Sequence, residues 1–290
     1  MANRRLLVKR RKAVRNIRKI TRTMQLIATA RFQAAFNRAV ASRPYTEKLA
    51  ELVADLARGV GEIRHPLMAT PNPDAPVALV VITSMRGLCG GYNANVLRAA
   101  QARAEELRAG GRAVELRVHG KKGIAYFRFQ RQPMAVQDTT IGDVPRYEQV
   151  EKVAAQLMED FLAGRISGVE VAYMRFYSAG RQRPEVARLL PLEAGHAGDE
   201  GVAAPVDYEF RPDPQTLLGE LLPATVRVRF FQSVLDAAVS EQIARMAAMK
   251  AATDASEEMI KNLTRKYNRA RQTHITMELL DIVGGANALA

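Results

Sequence analysis

The sequence predicts an α/β protein: a long antiparallel coiled coil of the N- and C-terminal helices plus a central Rossmann-like open α/β sheet domain. Three observations predict it. Neither Pro nor Gly occurs in the first 43 residues, nor in the 60 residues from Ala224 to Val283. Apolar and small residues in both stretches recur at alternating steps of three and four. Between them, short β-rich runs alternate with helical ones, the pattern of a mainly parallel sheet. With 290 residues, 48% hydrophobic and 25% charged, the chain has the composition of a globular protein and can bury a sizeable core.

The first helix is expected from the start of the chain to Pro44, which interrupts it before a further helical stretch ending near Gly59. Ala13, Ile17, Ile20, Met24 and Ile27 mark its seam, and Arg31 and Ala34 continue the count. The last helix is expected between Pro223 and Gly284-Gly285. Its seam is Met246, Met249, Thr253, Ser256, Ile260, Leu263, Tyr267 and Ala270. A mean step of 3.5 residues gives a narrow stripe and a left-handed supercoil. Lengths of roughly 60 and 90 Å follow from the 1.5 Å rise. Helices entering and leaving one domain can pair only antiparallel, so the longer C-terminal helix must outrun its partner. Its far end carries Ile275, Leu279, Leu280, Ile282, Val283 and Leu289, an apolar tip that calls for a surrounding partner.

Within the centre, Val77–Ile82 reads as a strand buried on both faces. A Gly-rich loop follows, then a helix from about Asn93 to Ala109. Ala113–His119 reads as a strand, Lys121–Phe129 as a helix and Met134–Gln137 as a short strand. Pro145 suits the first turn of a helix ending near Gly164. Val169–Tyr177 and Pro184–Leu192 read as strands joined by a turn at Gly180, and His196–Pro205 as a loop. The expected domains are residues 1–60, 61–210 and 211–290: N-terminal coiled-coil helix, central α/β domain and C-terminal coiled-coil helix.

Searching for chemistry gives little. Ser84–Asn93 lies between a strand and a helix, where α/β proteins bind phosphates, yet it matches neither G-x-G-x-x-G nor the P-loop. A tight glycine turn is the simpler reading. Cys89 is the one cysteine, so no intrachain disulfide can form, and a reducing compartment is expected. The four histidines are scattered, metal-ligand spacing is absent, and the acidic pairs read as solvated helix faces. No catalytic residues, cofactor or metal are expected, and the chain is not read as an enzyme by itself. The longest apolar run is far short of a membrane span, and the N-terminus lacks a secretory apolar segment, so a soluble intracellular protein is expected.

Charge is the strongest compositional feature. The formal net charge is +13, and 13 Lys and Arg precede the first acidic residue, Glu47. The remaining 30 Lys and Arg are balanced by 30 Asp and Glu. This basic N-terminal stripe could follow nucleic-acid phosphates or face acidic loops of a protein partner. Charge alone does not choose, although aromatic side chains for base stacking are nearly absent from the stripe.

Several blocks, taken in order, resemble the gamma subunit of F-type ATP synthases, the central stalk of the rotary motor. They are Ile17-Arg-Lys-Ile-Thr-Arg-Thr-Met24, Ala41-Ser-Arg-Pro-Tyr45, Arg86-Gly-Leu-Cys-Gly-Gly91, Ser240-Glu-Gln-Ile-Ala-Arg-Met246 continuing to Thr253, and Asn268–Glu278 running on to Ile282-Val-Gly-Gly285. The resemblance implies a non-catalytic shaft passing up the centre of a ring of alpha and beta subunits. Its globular end would dock, with the epsilon subunit, on the membrane c-ring. Proton flow would turn the shaft and cycle the catalytic sites. It further implies a peripheral location on the cytoplasmic face of the bacterial inner membrane, touching the membrane only through the c-ring, and no nucleic-acid partner. By the same resemblance, Arg271, Gln272 and Arg86 match contacts to the beta subunit, Met24 matches the methionine of the rotor–stator region, and Thr276 and Glu278 match coupling positions. Two departures stand out: Met85 replaces the usual Asp, and Phe210-Arg211 replaces a Tyr-Glu pair near the c-ring contact. A basic coiled-coil protein that binds nucleic acid through residues 4–43 is the alternative.

Overall fold

A computed structural model describes residues 4–60, 65–69, 72, 74–192 and 214–289. The expected loop at His196–Pro205 and the Phe210-Arg211 departure lie outside the described residues. The elements run α1 (Arg4–Val60), a 3-10 turn (Pro66–Met68), β1 (Val77–Ile82), α2 (Tyr92–Ala109), β2 (Val114–His119), α3 (Lys121–Phe129), β3 (Val136–Asp138), α4 (Tyr147–Leu162), β4 (Gly168–Ser178), β5 (Arg181–Leu190) and α5 (Pro214–Leu289). By their contacts they fall into two compact units, Met1–Ala30 with Arg245–Ala290, and Arg31–Ala244.

In the larger unit the five strands lie in the order β3-β2-β1-β4-β5. β1 pairs in parallel with β2 and β4, and β2 with β3, while β5 returns antiparallel on β4. All six β1 residues are buried because both faces of the sheet are covered. Ala78, Val80 and Ile82 face α4 and α5, packing with Leu157, Phe161, Leu222 and Phe230. Leu79 and Val81 face α2 and α3, packing with Val96, Ala100 and Phe127. The strand alternation therefore divides one sheet between two cores. A third cluster joins Leu235, Val239 and Ile243 of α5 to Ala39, Phe32 and Phe36 of α1 and Phe176 of β4.

The smaller unit is the antiparallel helix pair. Thr21 and Thr253 share a buried hydroxyl hydrogen bond of 2.8 Å. Arg18 lies 3.5 Å from Glu257, and the Arg11 guanidinium stands 4.9 Å from the Tyr267 ring centre. These pairs descend α1 as they climb α5. The α5 seam is as expected, with Met249, Thr253 and Ser256 buried and Ile260, Leu263, Tyr267 and Ala270 half-buried.

The α1 seam differs by one residue. Leu7, Thr21 and Ala28 are buried and Arg11, Val14, Arg18 and Gln25 half-buried, again in steps of three and four. Ile17, Ile20 and Ile27 are 49–59% exposed, and Ala13 is exposed beside them. Small and polar side chains hold part of the inside at Thr21, Ala28, Thr253 and Ser256, and the Thr21–Thr253 bond crosses the seam there. The larger isoleucines are turned about 100° away. Arg31 leaves the expected seam to pair with Asp143, and Ala34 is exposed.

Pro44 does not interrupt α1. It removes one hydrogen bond at a cost of about 3 kcal/mol, and flanking residues such as Ala39 and Leu49, both buried, hold the helix together. α5 likewise runs through Pro223 and beyond Gly284-Gly285. Burial of Leu222, Val226 and Phe230 offsets the Pro223 defect. The short strand starts at Val136 rather than Met134, and α4 starts two residues after Pro145.

Candidate functional site

The residues singled out in the sequence lie in three places. Arg271, Gln272, Thr276 and Glu278 occupy the last turns of α5. Every described side chain from Arg271 to Asn287 is exposed, because the register set by Thr21 and Thr253 exhausts α1 near residue 271. Thr276 Oγ1 donates to its own helix at Gln272 O, 3.0 Å away. Glu278 sits 3.1 Å from His274 one turn back. Arg271 and Gln272 therefore stand on a single helix, and Ile275, Leu279, Leu280, Ile282 and Val283 are 47–68% exposed beside them.

Met24 is elsewhere. The Thr21–Thr253 pair places it opposite residues near Met249, about 30 Å along the helix axis from Gln272. It is half-buried between the seam and the outward isoleucine stripe. Met24 and the Arg271 group are thus separate stations on one rod.

Arg86 stands on the Gly-rich loop between β1 and α2. The loop is braced from inside. Ser84 Oγ donates to Arg86 O at 2.6 Å, Ser84 N donates to Asn93 Oδ1 at 3.0 Å, and Asn93 Nδ2 reaches the buried Cys89 Sγ at 3.2 Å. Thr83 Oγ1 accepts from Gly123 N at 2.9 Å and ties the loop base to α3. Gly120 runs at φ 100, where an added Cβ would lie 2.2 Å from Thr83 O, so only glycine fits this crossing. The Arg86 side chain is 68% exposed, with Nε 3.6 Å from Asp143 Oδ2. The same oxygen accepts from Arg31. Met85 supplies no carboxylate, and Asp143, 57 positions after Arg86, provides one. No local motif announces that pairing.

The position at the carboxyl ends of β1 and β2, where open α/β sheets hold ligands, is filled from within. Tyr92 and Cys89 are buried there, and Val234, Ala237 and Ala238 of α5 close the space to a cavity of about 30 Å³. Ligand pockets are roughly tenfold larger. A wider depression of about 430 Å³ lies along α2 and β5. There Arg103 grips Glu170 with two bonds of 2.7 Å and holds Glu106 at 3.0 Å, a structural cluster. Among the described residues no group of His, Cys, Asp and Glu could hold a metal.

Buried charge elsewhere serves the sheet. Arg117 of β2 pairs with Asp160 at 2.6 Å. His119 Nδ1 lies 2.9 Å from Asp138, and this bond, against the opposing effect of burial, holds the carboxyl well below the usual range. Asp236 goes the other way, since burial raises its pKa more than the Gln232 bond lowers it.

A family model described as ATP synthase matches residues 3–289. The chain is 43% identical to the ATP synthase gamma chain of Rhodopirellula baltica, over 100% of this chain and 99% of that one. It is 41% identical to the ATP synthase gamma chain of Leptospira biflexa, over the whole of both. Among solved structures, a chain of the Euglena gracilis mitochondrial ATP synthase assembly containing OSCP, F1 and c-ring superposes with a TM-score of 0.65, at 18% identity, over 99% of this chain and 94% of that one. A chain of the rotor of that enzyme gives 0.63 at 17% identity, over 94% and 98%. At such identities the likeness is one of fold.

Proposed function

The chain belongs to the ATP synthase gamma family, and from that premise we propose that it is the central, non-catalytic rotor shaft of a proton-translocating F-type ATP synthase. The observation that carries this reading is the end of α5, where large apolar side chains from Ile275 to Val283 are exposed and no described residue of the chain covers them. Such a surface is stable in a working protein when a partner surrounds it. The outward stripe of Ile17, Ile20 and Ile27 extends the same requirement along α1. A sleeve of alpha and beta subunits meets both.

In this reading residues 1–60 and 211–290 form the shaft and residues 61–210 the base, which meets epsilon and the c-ring. Rotation of the c-ring turns the shaft, whose asymmetry drives each catalytic site through its binding states. Arg271 and Gln272 reach a loop of the beta subunit, and Arg86 offers a second such contact. Solvated guanidinium–carboxylate pairs are directional yet worth only about 0–1 kcal/mol, so they can be broken and remade as the shaft turns. Met24, Thr276 and Glu278 act in coupling. Among the described residues no helix is long and apolar enough to cross a membrane, which suits peripheral attachment at the cytoplasmic face of a bacterial inner membrane. The nucleic-acid alternative is not favoured, because the family match accounts for the basic helix together with the rest of the chain.

The test is reconstitution with the cognate alpha and beta subunits, measuring complex formation and ATPase rate with and without this chain. The expected result is a stable complex whose turnover depends on it. A well-folded chain that forms no complex would overturn the reading.

A further inference from the structure

We propose that Asp143, on the loop between β3 and α4, is a positioning residue of the rotor: its carboxylate fixes the rotational setting of α1 against the sheet domain, so that torque passes between them without slip. The proposal rests on the rotor reading and needs no partner at the Gly-rich loop. Three segments far apart in sequence meet at this one side chain. Arg31 of α1 donates from Nη1 to Asp143 Oδ2, and Arg86 Nε lies 3.6 Å from the same oxygen. Arg31 is the first α1 residue of the larger unit. The Asp143 side chain is 13% exposed, so water and salt screen this pair less than they screen a surface pair.

The neighbouring contacts of α1 in this unit are of other kinds. Phe32, Phe36 and Ala39 pack against Leu235, Val239 and Phe176. Apolar burial has no preferred direction, so it holds the helix close without fixing its rotation about its own axis. Ser42 donates to Gln232 at 2.9 Å and ties α1 to α5, whereas Arg31 ties it to a loop of the sheet. A charge-assisted hydrogen bond is directional, and the long arginine side chain applies it away from the helix axis, where it resists rolling best. The loop that carries Asp143 is pinned on both sides. Before it, Thr140 N donates to Asp138 Oδ1 at 2.7 Å, and Asp138 lies 2.9 Å from the buried His119. Ile141 packs on the core, and after Asp143 the ring of Pro145 is buried. Removing the carboxylate would leave two guanidiniums beside each other with like charge, which loosens α1 and the Gly-rich loop together.

The experiment uses the complete membrane-bound complex carrying this chain as wild type, Asp143→Asn, Asp143→Glu, Arg31→Gln, or Arg31→Gln with Asp143→Asn. The readout is the ratio of ATP-driven proton pumping to ATP hydrolysis, with the thermal midpoint of each isolated chain measured beside it. Asp143→Asn and Arg31→Gln should each lower the ratio by about threefold or more, and the double variant should fall no further, since contacting residues are not additive. Asp143→Glu keeps the carboxylate and should retain most of the ratio. Arg31 is not among the residues matched to the beta subunit, so its variant separates this brace from any contact that Arg86 makes with a partner. Failure of the wild-type chain to form a complex would remove the rotor reading itself. If the complex forms, the proposal alone is overturned by any of three results: a wild-type ratio in Asp143→Asn, additive losses in the double variant, or a lowered thermal midpoint with poor assembly and an unchanged ratio in what assembles, which is the mark of a residue that serves folding only.

Discussion

Two stretches of α5 carry the same kinds of side chain and meet opposite fates. Between Val226 and Ile243 the helix buries Val226, Phe230, Val234, Leu235 and Val239 at 0–2% exposure. Between Ile275 and Val283, Leu279, Leu280 and Ile282 are 57–68% exposed. The first stretch is covered by the sheet, α4 and α1, and the second by nothing in the described chain. Apolar residues thus mark two boundaries in one helix, an internal one that folds the protein and an external one that no described residue of the chain covers. The histidine–carboxylate pairs repeat the contrast. His119–Asp138 is shut inside the sheet edge at 2.9 Å, whereas His274–Glu278 stands in solvent at 3.1 Å.

Breaking the buried stretch should have the largest effect. Phe230 is fully buried among Ile82, Leu222 and Val226, so Phe230→Ala is expected to cost about 3–5 kcal/mol by loss of burial and an unfilled cavity. Chemical denaturation of the isolated chain measures it. Next comes the seam between the helices. Thr253→Val deletes the hydroxyl that meets Thr21 at 2.8 Å in a buried position and leaves Thr21 one partner poorer. A loss of about 1–3 kcal/mol is expected, with Thr21→Val in the same chain recovering part of it. Full additivity in that double-mutant cycle would show that the two hydroxyls do not interact.

Asp138→Asn tests the buried histidine pair and predicts a pH signature. The folded carboxyl is held below its ordinary value, chiefly by the His119 bond. Its contribution is therefore present above the unfolded carboxylate pKa, about 4, and lost as pH falls below it. The gap between wild type and Asp138→Asn, about 1–2 kcal/mol near neutrality, should close under acid. A gap that widened below pH 4 would contradict the assignment.

The sheet was legible because its signals are local. Val77–Ile82 and Lys121–Phe129 lie where the residue pattern puts them, since strand burial and glycine punctuation need no distant information. The α5 seam was legible as well. The α1 seam was not, because α1 carries two stripes one residue apart and the more hydrophobic one faces outward. Hydropathy ranks Ile17, Ile20 and Ile27 above Val14, Thr21 and Ala28, but a hydroxyl bond across the seam, Thr21 to Thr253, is a pairing hydropathy does not rank. Pro44 and Pro223 misled for a related reason, as tertiary burial outweighs a single missing bond. At the candidate site Arg86 came from its motif, whereas its partner Asp143 comes from a loop 57 residues away.

The exposed stretch gives the smallest effect on the chain and the clearest separation of the two boundaries. Leu279 and Ile282 are already 57% and 68% exposed, so the double variant Leu279→Ser, Ile282→Ser removes little burial. Serine costs only a few tenths of a kcal/mol in helix propensity relative to leucine. The isolated chain should therefore unfold within about 0.5 kcal/mol of wild type per site, and its solubility should improve as the apolar tip shrinks. The assembled complex should respond differently, because side chains that lose nothing in water lose contacts inside a sleeve. Torque or ATPase coupling is expected to fall while the stability of the chain holds. A variant that matched wild type in both measurements would mean that the tip is solvated in the complex too, and the external boundary drawn from its exposure would have to be moved to the α1 stripe.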